Sequence, residues 1–327
     1  MTSIPYSQLS STHRNLEDML PLPFPISIQI EPTNVCNFRC IGCPHTLQNY
    51  AQEVGYLQNM DMELYRKIIT DINQMGGVKV IKLYNYGESL LHPDIIQMIE
   101  LAKAVASRVE ITTNASILTD KLAEGLVEVG LDYIRCSIYG VDQKSLESFS
   151  HTKLSPLKIR DNIYYLRAYR ELTGRTLPFI YIKMFETTSL EDVERFKEIY
   201  EWVADEIAVD YVHNMSGING IEDKLGIVIP KHTPKKICPV PFYQSVVGAN
   251  GDVTVCCADW TFSSKVGNLR EQSFKEIWDG DKLRKFQQTT LEYRGHEYAS
   301  CKNCTWNWSH PDNIDNISDR VKEKFYK

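Results

Sequence analysis

The chain is predicted to be an α/β protein, a partial (β/α)6 parallel barrel with a small C-terminal α+β domain. Three observations predict this. Between residues 26 and 212, six strand-length apolar runs alternate with helix-length amphipathic stretches, and such alternation selects parallel strands joined by right-handed crossovers. The motifs with chemical content fall at the C-terminal ends of those strands, where parallel sheets hold their ligands. Beyond Asn214 the alternation stops and gives way to a loop-rich link and one hairpin signal.

Size and charge bound the function. A length of 327 residues with 43% hydrophobic content supports one large barrel or two ordinary domains. The 36 basic and 42 acidic residues leave a net charge of −6 with no Lys/Arg block, which argues against a nucleic-acid partner. No apolar run approaches the roughly 18 residues of a membrane span, and Met1 to Ser11 lacks the charged and apolar regions of a secretory signal. Nine cysteines without such a signal point to a reducing compartment and to metal ligation. The expected location is cytoplasmic, with no membrane partner.

The elements follow in order. Residues 1–25 are polar and then punctuated by Pro21, Pro23 and Pro25, which reads as an arm without a fold of its own. Ile26, Ile28 and Ile30 alternate with polar residues, so 26–32 is a strand. A helix near 61–75 places Leu64, Ile68, Ile69 and Ile72 on one face. Then come strand 78–85, helix 93–107, strand 109–113, helix 119–129 and strand 132–139. A helical stretch within 142–173, strand 178–185, helix 189–203 and strand 206–212 complete the repeats. The link over 215–240 carries Gly217, Gly220, Pro230 and Pro234. Val246-Val247 and Val253-Thr254-Val255 flank Asn250-Gly251, a two-residue hairpin signal. A helix near 273–290 and a polar end follow. The expected boundaries are 1–25 for the arm, 26–225 for the barrel, 226–310 for the C-terminal domain and 311–327 for the tail.

The first chemical signal is Cys36-Asn37-Phe38-Arg39-Cys40-Ile41-Gly42-Cys43. Three thiolates on one tight loop can hold three irons of a [4Fe–4S] cluster and leave the fourth iron open to bind and activate a ligand. A zinc knuckle completed by His45, or thiols with a purely structural role, are the other readings of the same residues. The C-x3-C-x2-C spacing resembles the signature of the radical S-adenosylmethionine (AdoMet) enzymes. That resemblance implies an open iron that chelates the AdoMet amine and carboxylate, with Gly42 beside it, and a 5′-deoxyadenosyl radical released on reduction. The segment Tyr86-Gly87-Glu88-Ser89 resembles the family's GGEP turn, with Tyr86 for the first Gly and Ser89 for the Pro. It implies that the Tyr86, Gly87 and Glu88 region receives the AdoMet ammonium. Thr113-Asn114-Ala115 resembles the T-N-G turn, which puts Asn114 near AdoMet. Ser137-Ile138-Tyr139-Gly140 resembles the S-x-D-G strand end, with Tyr139 for the Asp, and implies contact of Ser137 with the AdoMet carboxylate or ribose.

Alternation in that strand puts Cys136 on the opposite face as a core thiol. Where relatives carry an Arg downstream, this chain offers His151 and Lys153. Lys183 interrupts an apolar strand and needs a partner; the carboxylate of AdoMet or substrate would serve, and a snorkelling surface position is the alternative. His213 and Asn214 would line the substrate cavity.

The second signal joins Cys238, Cys256, Cys257 and Cys301-x2-Cys304 with Val266-Gly267-Asn268-Leu269 and Ile277-Trp278. These resemble the auxiliary-cluster domain called SPASM and its shorter form, twitch. The resemblance implies one auxiliary [4Fe–4S] cluster on Cys238, Cys256, Cys301 and Cys304, with an all-cysteine zinc site as the alternative. Cys257 is then a hydrogen donor to a substrate radical, a substitute ligand for Cys256, or a small buried residue.

Together the resemblances imply hydrogen abstraction from a small polar substrate, a sugar or aminocyclitol. The outcome is oxidation of a secondary alcohol through the auxiliary cluster, or epimerisation of a carbon centre. An electron donor such as flavodoxin or ferredoxin is implied. A SPASM-type maturase of a ribosomal peptide and a non-enzymatic iron–sulfur or zinc scaffold are the competing readings.

Overall fold

The structure is a computed structural model that describes residues 16–185, 189–210, 235–302, 304–306 and 312–326. The six apolar runs become strands β1 (Ser27–Ile30), β2 (Val78–Leu83), β3 (Ala106–Thr113), β4 (Tyr133–Ile138), β5 (Phe179–Phe185) and β6 (Glu206–Asp210). Each pairs in parallel with the next, for example Ile28 with Ile81 and Ser137 with Lys183. The intervening helices, in chain order after the short turns α1 (Leu16–Met19) and α2 (Tyr50–Val54), are α3 (Met62–Gln74), α4 (Ile95–Lys103), α5 (Asp120–Glu128), α6 (Gln143–Ser150), α7 (Pro156–Leu172) and α8 (Leu190–Tyr200). Among the described residues no helix is long and apolar enough to cross a membrane.

Strand parity decides which side chains reach the site. Ile28, Ile81, Ile111, Ile134, Cys136 and Ile182 are fully buried under the helices. The alternate positions are polar: Gln29, Lys82 and Glu110 lie in one row of the sheet, and Ser137 and Lys183 in another. Apolar burial toward the helices fixes the register, because a one-residue slip would exchange the two faces.

The sheet does not end at β1. Strand β7 (Gln244–Val247) pairs in parallel with β1, Ser27 opposite Gln244, and β8 (Asp252–Thr254) and β9 (Gly267–Asn268) continue it antiparallel. The predicted hairpin therefore extends the barrel sheet to nine strands, ordered β6-β5-β4-β3-β2-β1-β7-β8-β9. Gly251 closes the hairpin turn at φ 93, in the region that favours glycine.

Three expected elements differ in extent. The stretch within 142–173 is two helices, because His151 takes a left-handed φ of 53 and Ser155-Pro156 starts a new helix. The helix near 273–290 is α9 (Phe274–Trp278) and α10 (Asp281–Leu291), parted at Gly280, which stands at the N-cap of the second. Strand β3 starts three residues early because pairing of Ala106 with Val78 extends the ladder. Residues 211–212 of the sixth expected strand, most of the link, and His213 and Asn214 lie outside the described residues.

The C-terminal region is fastened to α3. Asp71 accepts the Phe274 amide at 2.9 Å, Lys67 donates to the Gln272 carbonyl at 2.9 Å, and Arg270 pairs with Asp61. The arm and tail share a small core of Leu16, Leu20, Ile237, Phe242, Ile314 and Phe325 beside α11 (Asp319–Lys322).

Candidate active site

The first thiol group sits just past the end of β1. Thr33 accepts the Val35 amide at 3.1 Å, and the Asn34 side chain spans to the Tyr56 carbonyl and the Gln58 amide at 2.9 and 2.8 Å. Gly42, at φ 83, lets the chain reverse so that the Cys43 amide bonds the Cys40 carbonyl at 3.0 Å. Arg39 and Ile41 donate their amides to the carbonyls of Ser150 and Phe149, at 3.1 and 2.8 Å, which ties the loop to the end of α6. Burial raises all three thiols, Cys36 to about 11 and Cys43 to about 12. Cys40 is raised by burial and then by Cys43 and Cys36. Three buried thiols that oppose one another's ionisation are a donor set that a cationic metal cluster would convert to thiolates.

The neighbouring turns build a cradle around this loop. A Cβ on Gly87 would stand 1.9 Å from the Thr33 carbonyl oxygen, so only glycine allows the β2 turn to cross here. Glu88 is buried and fully engaged: it accepts Thr113 Oγ1 at 2.7 Å, the Asn114 amide at 2.8 Å and the Leu90 amide at 3.1 Å. Asn114 then donates to Asn37 Oδ1 at 2.9 Å, inside the cysteine loop. Glu88 thus orders the β3 turn against the loop. Ser137 is buried and shares a hydrogen bond with Tyr139, whose hydroxyl is in electrostatic reach of Cys40, Cys43 and Cys36 and whose ring stacks on Phe149 at 5.0 Å. The tyrosine that stands where the family has Asp therefore lies in the neighbourhood of the thiols, its ring against Phe149 and Phe185.

Other expected residues land elsewhere. His151 and Lys153 are exposed, His151 as the left-handed cap of α6, so the structure does not gather them into the cradle. Lys183 finds its partner within the protein, Asp210 Oδ2 at 2.9 Å across to β6. His45 packs on Tyr50 with ring centroids 4.2 Å apart. Among the described residues no three His, Cys, Asp or Glu side chains gather into a site for a single ion.

The second thiol group assembles from three places in the C-terminal region. Cys238 is in electrostatic reach of Cys301, Cys304 and Cys257, and Cys256 of Cys257, Cys238 and Cys304. Each of the five thiols is in electrostatic reach of at least one other, and four cysteines suffice for a cluster. Asp259 locks the turn after Cys257 by accepting Thr254 Oγ1 at 2.8 Å, the Ser264 amide at 2.8 Å and the Ser263 amide at 3.0 Å. Cys256 and Cys257 share a hydrogen bond that holds the Cys257 thiol below its ordinary value and raises Cys256. Cys257 also meets Lys82 and Gln244 from β2 and β7, so it stands where the second group meets the barrel sheet. Cysteine-only donor sets of three and of at least four thiols suit iron–sulfur clusters by their chemistry.

Two features of the site escape the sequence reading, the Glu31 carboxyl and the hydroxyl of Tyr86. Glu31 continues the polar parity of Ser27 and Gln29 and is 1% exposed. It accepts the Tyr86 and Ala249 amides at 3.4 and 3.3 Å and bonds the side chains of Asn85 and Tyr56. Burial raises its carboxyl to about 7. Tyr86, expected to act through its backbone, places its hydroxyl in electrostatic reach of Cys257, Cys256 and Cys43. That hydroxyl is buried with no hydrogen-bond partner among the described residues. The alternation of β1 was the available signal for Glu31; nothing local marks Tyr86.

Residues 30–224 match the family model of the radical SAM superfamily, and residues 238–305 match the SPASM model, an iron–sulfur cluster-binding domain. The tungsten-containing aldehyde ferredoxin oxidoreductase cofactor-modifying protein of Pyrococcus furiosus is 24% identical over 322 residues, covering 85% of this chain and 86% of that protein. The S-adenosyl-L-methionine-dependent 2-deoxy-scyllo-inosamine dehydrogenase of Niallia circulans is 24% identical over 303 residues, covering 91% and 96%. Among solved structures, Streptococcus suis SuiB bound to precursor peptide SuiA superposes with a TM-score of 0.64 at 16% identity, over 92% of this chain and 74% of that one.

Proposed function

Because the chain belongs to the radical SAM superfamily and carries an iron–sulfur cluster-binding domain behind the barrel, we propose that it oxidises a secondary alcohol of a small polyhydroxylated or amino-sugar substrate. Its cofactors are AdoMet and a [4Fe–4S] cluster, with auxiliary iron–sulfur in the C-terminal domain. Cys36, Cys40 and Cys43 would hold the first cluster, and Cys238, Cys256, Cys301 and Cys304 one auxiliary [4Fe–4S] cluster. When bound, these groups supply a 5′-deoxyadenosyl radical, which takes a hydrogen atom from carbon, and an acceptor for the second electron.

The chain's own residues supply orientation. Glu88 holds Asn114 against the loop, Tyr139 hydrogen-bonds Ser137 in electrostatic reach of the thiols, and Gly87 lets the β2 turn close on the backbone before Cys36. The observation that carries the proposal is the Tyr86 hydroxyl, buried without a hydrogen-bond partner among the described residues and in electrostatic reach of Cys43, Cys256 and Cys257. A substrate hydroxyl bonded there would be in reach of both thiol groups, as an electron passing to the second one requires. The match to the 2-deoxy-scyllo-inosamine dehydrogenase over nearly its whole length supports the substrate class. A second reading, epimerisation with Cys257 as hydrogen donor, is favoured by the contact of Cys257 with Lys82 and Gln244.

The test is anaerobic turnover with 2-deoxy-scyllo-inosamine and related polyols, beside iron analysis of the wild type and of Cys36→Ala/Cys40→Ala/Cys43→Ala. About eight irons falling to about four in the variant is expected, with wild-type turnover yielding a ketone about two mass units lighter than the substrate. A product of unchanged mass carrying solvent deuterium, lost in Cys257→Ala, would replace oxidation by epimerisation. AdoMet cleavage that responds to a peptide and to no polyol would refute the substrate class.

A further inference from the structure

The backbone that leads into Cys238 is held by residues 312–326, which lie beyond the stretch 238–305 that matches the iron–sulfur domain model. The Lys236 and Ile237 amides both donate to one oxygen, Asp315 Oδ1, at 2.9 and 2.8 Å, across 79 and 78 residues of chain. Asp315 is itself fixed. Its amide donates to Asn313 Oδ1 at 2.9 Å, and the Ile317 amide bonds the Ile314 carbonyl at 3.1 Å. Ile314 and Ile317 are buried with Ile237 in the small core that the arm and tail share. Ile237 directly precedes Cys238, so this ligand's backbone enters its site from that core. Past Cys238, Gln287 of α10 donates to the Pro241 carbonyl at 3.0 Å, and the Phe242 and Phe325 rings meet edge to face with centroids 5.4 Å apart.

We propose that Asp315 is a positioning residue for the auxiliary cluster, acting through the backbone before Cys238. The inference rests on the proposed assignment of Cys238 as a ligand of that cluster. The other ligands have local supports. Cys256 follows β8 and precedes the turn that Asp259 locks, and Cys301 and Cys304 share a turn in which the Cys304 amide bonds the Cys301 carbonyl at 3.3 Å. Cys238 instead takes its support from the tail, through the two amides before it. Hydrogen bonds to an ionised acceptor are the strong ones, and two of them from consecutive amides fix the direction of a backbone. Residues that orient a ligand without touching the metal tune how well the ligand binds it.

The experiment compares iron content, EPR and amide hydrogen exchange in the anaerobic wild-type holoenzyme, Asp315→Ala and Asp315→Asn. Both amides use a single oxygen, and asparagine keeps an acceptor oxygen there. Asp315→Asn is therefore expected to hold about eight irons as the wild type does, and Asp315→Ala to fall toward about four. The signal that AdoMet perturbs should survive in both variants, and the auxiliary signal should be lost in the alanine variant alone. The Lys236 and Ile237 amides should exchange about tenfold faster in Asp315→Ala and at the wild-type rate in Asp315→Asn. Glu17→Ala removes the acceptor of the Ser318 amide, bonded at 3.0 Å in the same tail, and should leave the iron unchanged.

An alanine variant with the iron content and auxiliary signal of the wild type would overturn the proposal. So would an equal loss in Asp315→Asn, a loss shared by both clusters, failure of Asp315→Ala to fold, or a loss in Glu17→Ala. Each of the last three would make the tail a general support of the fold. Cys238→Ala separates these results from failure of the ligand assignment: about eight irons with an unaltered auxiliary signal in that variant would overturn the assignment, and the inference with it.

Discussion

Glu31→Gln offers a quantitative check on how β1 is joined to the C-terminal hairpin. Burial raises the Glu31 carboxyl from 4.5 to about 7, against the opposing pull of the Ala249 and Tyr86 amides and the Asn85 and Tyr56 side chains. A raised carboxyl means that the folded state holds its proton more tightly than the unfolded chain does. The folded state therefore carries no penalty below about pH 4.5, loses stability as pH rises from there to about 7, and carries the full penalty above it. A rise of that size corresponds to about 3 kcal/mol. A glutamine side chain cannot ionise, so the variant lacks this loss.

The substitution also places an amide where Ala249 or Tyr86 donates, which costs about 1–3 kcal/mol at every pH. The slope separates the two effects. Urea midpoints of the anaerobic holoprotein should show the stability difference between variant and wild type moving by about 2.5 kcal/mol in favour of the variant from pH 5 to pH 8, the part of the loss that falls inside that window. Parallel curves would refute the reasoning. They would mean that Glu31 is ionised throughout, held by its donors and not governed by burial.

Two further outcomes follow from contacts that have no room to relax. Gly87→Ala drives a Cβ to 1.9 Å from the Thr33 carbonyl oxygen, backbone against backbone, and is expected to cost about 3 kcal/mol or more. Iron bound at the first cluster should fall with it. Gly55→Ala, at φ 76 with nothing within 4 Å of the new Cβ, should cost about 1–2 kcal/mol and spare the iron. Asp71→Ala leaves the buried Phe274 amide unpaired and should cost about 1–3 kcal/mol. Limited proteolysis should then release the C-terminal region before the barrel; equal cleavage of both would contradict the docking role of that bond.

What was legible in the sequence was whatever depends on local pattern. Strands β1 to β6 could be read because one face of each is apolar at period 2, as Ile134, Cys136 and Ile138 are. The cysteine loops could be read because ligand spacing is short-range. The differences have two causes, helix-end geometry and contacts between residues far apart in the chain. His151 and Lys153 looked suited to a carboxylate, yet His151 is the left-handed cap of α6 and both side chains are exposed. Lys183 had a protein partner 27 residues later. Tyr86 matters through neighbours near residues 43 and 257, and no window around it contains them.

The pairing of β7 with β1 is the feature that gives these distant contacts a purpose. Strand β1 leads into the first cysteine loop within six residues of its end, and β7 leads through a tight hairpin to Cys256 at the end of β8. Strand β7 runs parallel to β1 in fixed register, Ser27 to Gln244 through Ile30 to Val247, and β8 runs back antiparallel beside it with Val246 opposite Thr254, so the chain returns toward Gln244 before it reaches Cys256 while β1 runs on past Ile30 to Cys36. A separately folded C-terminal domain on a flexible link would leave the spacing of the two thiol groups to that link. Here hydrogen bonds of a ladder set it, and Glu31 braces it by holding the Ala249 amide of the hairpin and the Tyr86 amide of the β2 turn with one carboxyl group. Electron transfer falls steeply with distance, so a shared sheet is a structural reason for the second group to serve as an acceptor. The same brace holds the Tyr86 backbone, whose hydroxyl has no hydrogen-bond partner among the described residues.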